Sequence, residues 1–188
     1  MSENTAARTV AVSADHGKLD IQALVLLAVL LAAGFILNFT VGKAISGISG
    51  GLISPEFIIS AFCLTILVVR PNVGQALIIG LISAAVIQVT TTSPFIDFAA
   101  EGIAAMLMSL IVAAGMRGSA KRFVPLAGAF VTTVVSGVIF MLIKIAMVGG
   151  AAELAAAMLP VVLLTGVFNA ILVSALYLPI KKALKLDD

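Results

Sequence analysis

Asp97 and Glu101, in the apolar run SPFIDFAAEGIAAMLMSLIVAAG, are the residues of this chain best suited to chemistry. At i and i+4 they share one face of a helix, where like charges repel. A charge at the centre of a bilayer costs roughly 2.5–3.5 kcal/mol on insertion scales and persists mainly where it faces protein or water. Relief must come from protonation, from a cationic side chain, or from the cationic group of a ligand. Glu101 lies eight residues past Ser93, about 12 Å along a helix axis, beyond the reach of a capping role. Asp97 has a second explanation, because an acid in the first helical turn complements the positive end of the helix dipole. The same explanation covers Glu56, read at the second helical position behind Ser54-Pro55.

Four further polar residues stand in or beside apolar runs. Lys144 lies four residues before the end of its run, where a long side chain snorkels to the interface or meets an anionic group. Lys43 belongs to a connector on the same side. Asn169 is near the middle of the last run, where an amide needs partners from another helix or from a ligand. Gln88, followed by Thr90, Thr91 and Thr92, closes the third run. The candidate ligand-binding set is therefore Asp97, Glu101, Asn169, Lys144, Lys43 and Gln88.

Catalysis and metal binding find little support. His16 is the sole histidine, beside Asp15 in a polar tail, and Cys63 is the sole cysteine, inside an apolar run. Neither a His-based triad nor a zinc site has enough members. No GxxxxGK[ST], HExxH or GxSxG motif occurs, so ATP hydrolysis by this chain is not expected. The expectation is a protein that is not an enzyme and carries no cofactor.

The elements that must position these residues are six apolar spans: Ile21–Asn38, Gly51–Val69, Val73–Val89, Pro94–Met116, Phe123–Val148 and Glu153–Leu178. Hydrophobic residues make up 62% of the 188, against about 45–50% in a soluble domain. At about 20 residues per span, no room is left for a soluble domain. Nine of the eleven Lys and Arg lie on one side of the spans. They are Arg8 and Lys18 in the N-terminal tail, Arg70, the group Arg117, Lys121 and Arg122, and Lys181, Lys182 and Lys185 at the other end. Only Lys43 and Lys144 lie opposite. Cationic short loops stay in the cytoplasm, which predicts an all-α six-helix membrane bundle with both termini cytoplasmic. Its parts are a tail (1–20), a membrane domain (21–184) and a short C-terminal tail (185–188). The slight positive charge follows from these loops and gives no reason to expect nucleic acid.

Local signals refine the picture. The connector TVGKAISGISGG is rich in Gly and Ser, which predicts an irregular segment facing water or packed on protein, a flexible turn or a gate. Ser54-Pro55 and Ser93-Pro94 each place a hydroxyl before a proline, predicting a cap and first helical position for the second and fourth spans. Ser54 to Val69 covers only about 24 Å, short of a bilayer core of roughly 30 Å, so this helix is expected to start earlier or to lie surrounded by protein. The RPN turn predicts a hairpin between the second and third spans. In the first span Ala28 and Ala32 open a small-residue stripe, continued by Ala33 and Gly34, that lets another helix come close.

Six short spans, both ends inside, an alanine stripe on the first helix, polar residues gathered toward the outside and the ending NAILVSALYLPIKKAL resemble an S component of the energy-coupling factor (ECF) transporters. The blocks ISPEFIISAF, RPNVGQALIIGLISAAVIQVTTTSPFID and VTTVVSGVIF are most similar to its tryptophan-transporter family. The likeness covers about Ile21 to Leu184. It implies a subunit of the prokaryotic cell membrane that captures a vitamin or amino acid from outside. It also implies partners: a shared transmembrane subunit and two ATPase subunits. By position, Ala28 and Ala32 would face the shared subunit, while Asp97, Glu101 and Asn169 would meet the ligand. With no Trp and a single Tyr, Tyr177, an indole pocket would rest on Phe and aliphatic side chains. Two other readings stay open: a proton-coupled secondary carrier with the coupling proton on Glu101, and a membrane scaffold whose charges only pair helices.

Overall fold

Asp20 starts the bundle, its carboxylate accepting a hydrogen bond from the Ala23 amide at 2.8 Å and so satisfying one of the free donors at a helix start. Helix α1 follows, Ile21–Leu37. The computed structural model describes residues 19–91 and 93–185. The expectations for Arg8, His16 and Lys18 in the tail, for Thr92 and for the last three residues fall outside these.

The TVGKAISGISGG connector is the first correction. The chain passes through a π-helical turn, Asn38–Gly42, and continues as helix α2, Lys43–Ile48. Gly and Ser lower helix propensity without forbidding a helix, and a continued helix keeps backbone hydrogen bonds within the segment. Irregular backbone is confined to Ser49–Glu56, where Gly50 and Gly51 turn the chain at φ of 62° and 84°, a conformation that glycine adopts without steric penalty.

The two Ser-Pro starts are the second correction. Helix α3 spans Phe57–Val69 and begins after Glu56. Its first amide, Phe57 N, donates to Asn38 Oδ1 at 2.9 Å, so the cap comes from the π turn rather than from Ser54. Glu56 therefore precedes the helix instead of sitting in its first turn. Helix α4 spans Val73–Ile87 and starts with a reciprocal Asn72–Gln75 capping box. Helix α5 spans Ile96–Gly115. Phe95 precedes it at φ 71°, its amide tied to Gln88 Oε1 at 3.0 Å, and the Ser93 hydroxyl accepts from Lys144 Nζ at 3.0 Å rather than capping α5. Glu101 is thus the sixth residue of α5, about 8 Å from its start.

A 3-10 turn, Ser119–Phe123, leads into helix α6, Val124–Val148, with Pro125 in its first turn, where a missing amide costs nothing. Helix α7 spans Ala151–Ala183 and extends past both ends of the sixth apolar span. Counting α1, the π turn and α2 as one, the described residues form six helices and no strand. Four of these are long and apolar enough to cross a membrane: Ile21–Ile48, Ile96–Gly115, Lys121–Val148 and Ala151–Ala183. Their outward faces carry exposed Leu24, Val29, Leu110, Leu142 and Ile171. This is an all-helical membrane protein.

Helix α3 is the centre of the bundle. Every residue from Phe57 to Val68 is buried, with α1, α7 and α5 packed around it, while α4 lies on α5, α5 on α6 and α6 on α7. At 13 residues it is about 20 Å long, less than a bilayer core of about 30 Å. Protein packed around its length makes that short span acceptable.

Helices α4 and α5 touch backbone to backbone at Gly80, where an added Cβ would lie 2.5 Å from the Glu101 carbonyl oxygen and 2.8 Å from Ala105 Cβ. Gly80→Val is expected to force the pair apart at the level of Glu101, costing about 1–3 kcal/mol as overpacking does. Thermal unfolding in detergent checks this. Gly47→Val, whose Cβ would meet nothing within 4 Å, should leave the transition in place.

Candidate functional site

The best-defined polar layer is built by α5, α6, α7 and the irregular segment ahead of α3. Glu101, 4% exposed, accepts at Oε1 from Ser136 Oγ of α6 at 3.1 Å. Its other oxygen, Oε2, is buried without a partner. Asn169 of α7, fully buried, donates from Nδ2 to the Glu56 backbone carbonyl at 3.1 Å and to Thr133 Oγ1 of α6 at 3.3 Å. Because a carbonyl only accepts, Nδ2 must face Glu56 and the amide orientation is fixed. Asn169 Oδ1 is then the second buried acceptor without a partner. Thr133 and Ser136, three residues apart on α6, lie on one helical face, which places the Asn169 amide one turn from the hydroxyl that holds Glu101.

Two more carboxylates border this layer. The half-buried Glu56 carboxylate is hydrogen-bonded to Asn38 and lies within electrostatic reach of Asp97, as Glu101 lies within reach of both. Asp97 is better satisfied: Gln88 Nε2 donates to its Oδ2 at 3.2 Å, and the Thr91 side chain adds a further bond. Among the described residues no Lys or Arg stands against any of the three acids. An ionised carboxylate buried in this way, with one hydroxyl as its only partner, is costly.

The irregular segment is tied into the bundle because its backbone finds protein partners. Ser54 donates to and accepts from Thr165 Oγ1 of α7, at 3.3 and 3.0 Å, the Glu56 carbonyl meets Asn169, and the Phe57 amide meets Asn38. Non-helical backbone survives in a bilayer only when protein or a polar cavity satisfies it.

Of the sequence-predicted residues, Asp97, Glu101, Gln88 and Asn169 come together with Glu56. Lys144 stands toward the start of α5, half-buried, on Ser93 and 5.7 Å from the Phe140 ring. Lys43 is exposed on α2 over the Phe39 ring, 4.4 Å from its centre, apart from the acids. Ala28 and Ala32 are on the exposed face of α1, opposite the buried face formed by Ala23, Leu27, Leu31 and Gly34. Sequence reasoning missed Asn38, Thr133, Ser136 and Thr165. The T-x-x-S spacing of VTTVVSGV puts two of them on one helical face but does not show that they reach another helix.

Chemically the layer offers acceptors in excess of donors, held rigidly by three helices, which suits recognition of a group rich in N–H. Cys63 is buried within α3, within electrostatic reach of Glu101, and among the described residues no group of three or more His, Cys, Asp or Glu is suited to hold a metal ion. No family model, curated protein or solved structure matches this chain.

Proposed function

We propose that this chain is the substrate-specific membrane subunit of an ECF-type importer, binding a small ammonium-bearing solute from outside. An amino acid, tryptophan first, or a vitamin is the expected class. The observation that carries the reading is the pair of buried, unpartnered carbonyl-type oxygens, Glu101 Oε2 and Asn169 Oδ1, whose side chains are held by neighbouring residues of α6. An ammonium supplies the donors that both lack. Phe57 and Phe168, edge to face at 5.9 Å, precede or follow Asn169 and Glu56 directly in the chain and supply aromatic surface beside the polar layer.

The orientation belongs to the same proposal. Arg70, Arg117, Lys121, Arg122, Lys181 and Lys182 lie at the ends of α3, α5 and α7 and at the starts of α4 and α6, and are taken as cytoplasmic. The acids then lie toward the outer half of the bundle, and the exposed Ala28 and Ala32 of α1 are free to meet the shared transmembrane subunit, whereas Gly34 of the same stripe is turned inward on α3.

A proton-coupled carrier is favoured by one observation, the burial of Glu101 away from any cation, since a carboxyl that gains and loses a proton would occupy such a place. A scaffold whose charges pair helices is disfavoured by the same observation. Affinity purification of the tagged chain from its native membrane decides between importer and carrier. ATPase subunits are expected to copurify. Uptake that continues in a host without ECF ATPases would overturn the importer reading.

A further inference from the structure

The position of Lys144 relative to Glu101 bears on which ammonium compounds the layer accepts. Lys144 follows Ser136 by eight residues on α6, about 12 Å along the axis, and its Nζ is engaged by Ser93, ahead of α5. Glu101 is held by Ser136 itself. Lys144 therefore branches from α6 about two helical turns from the residue that holds Glu101, and Lys43 is on the exposed α2 over the Phe39 ring. An α-amino acid carries ammonium and carboxylate on one carbon. With its ammonium on Glu101 Oε2, its carboxylate would lie among Glu56, Asp97 and Glu101, with no cation beside it. Like charges brought together away from water repel far more strongly than they do in solution.

We propose that the deep acceptors Glu101 Oε2 and Asn169 Oδ1 bind the primary ammonium of an organic amine that has no carboxylate on the adjoining carbon. The acid cluster alone would not justify this. Asn169 adds independent support, because its amide is fully buried, its Nδ2 is fixed by Glu56 and Thr133, and its Oδ1 is left as a bare acceptor one turn of α6 from Glu101's partner. An ammonium has three donors and no acceptor, the chemical complement of two bare oxygens. The inference rests on the ligand-binding reading above, an ammonium-bearing solute, and replaces its first choice, tryptophan, with an amine that lacks the α-carboxylate.

Calorimetry on the purified full-length protein with matched pairs tests it: tryptophan against tryptamine, phenylalanine against phenethylamine, lysine against cadaverine. In any pair that binds, the amine is expected to bind at least about tenfold more tightly than its amino acid, and Glu101→Gln should shrink that preference. An amino acid that equals or exceeds its amine overturns the inference while leaving the ligand-binding reading in place. If none of the three amines binds at millimolar concentration, the inference is also overturned. Because the paired comparison uses the unaltered protein, it does not depend on how any variant folds. Copurification of ATPase subunits stands or falls separately, so failure of the importer reading is distinguishable from failure of this one.

Discussion

Glu101→Gln is expected to lower the affinity of the chain for its ammonium ligand by about 30-fold to several thousand-fold, measured by calorimetry in detergent. Removing one partner of a buried, hydrogen-bonded charge pair costs about 2–5 kcal/mol, at 1.4 kcal/mol per decade of affinity. The substitution is nearly isosteric. Gln keeps an oxygen for Ser136, which now holds Glu101 Oε1 at 3.1 Å, and replaces the unpartnered Oε2 with an NH2 that confronts the ligand's own donors. Stability of the empty protein should not fall, because the change removes an uncompensated buried charge rather than a paired one. Asp97→Asn should matter less, since Gln88 and Thr91 already satisfy Asp97. Near-normal affinity in the Glu101 variant would remove Glu101 from the site. A large loss of thermal stability would instead mark it as structural.

Glu101 was legible in the sequence because a carboxylate in a long apolar run has few explanations, and Asn169 was legible for the same reason. Their partners were not. Ser and Thr in a membrane helix readily bond the carbonyl four residues back, as Thr65 does to Ala61 and Ser83 to Ile79. Nothing in the sequence distinguishes those from Ser136 and Thr133, which reach across to other helices. The cap of α3 was illegible for a different reason: Asn38 reaches Phe57 across 19 residues, whereas the local signal, Ser54-Pro55, pointed to itself. Pro94 misled in the same way, because Gln88, from the preceding helix, ties down Phe95.

The six apolar runs were legible as helices, and hydropathy also warned that the second was short. That α3 is the buried hub could not be read from it, since lipid and protein interior reward the same side chains. Burial on every face of α3 is a property of the neighbours that surround it. The irregular Ser49–Glu56 segment completes this arrangement. Its last residue, Glu56, turns its backbone carbonyl to Asn169 of α7.

Ala28→Trp and Ala32→Trp are expected to reduce uptake in cells to background while leaving ligand affinity of the isolated protein unchanged. The two alanines lie at i and i+4 on the exposed face of α1, where small side chains let a second helix approach to backbone contact. An indole there holds a partner away. The ligand layer is untouched, because α1 packs on α3 through its opposite face, through Leu27 and Leu31, and contributes none of the acceptors. Leu110→Trp is the control. Leu110 is 53% exposed on α5, a different helix, so the added bulk there should preserve uptake if it is the α1 face that docks. Uptake is followed with whichever labelled amine or amino acid binds the purified protein. If both alanine variants transport normally, this face of α1 meets lipid rather than a shared subunit. The carrier reading, with Glu101 gaining and losing a proton, would then account better for the buried acid.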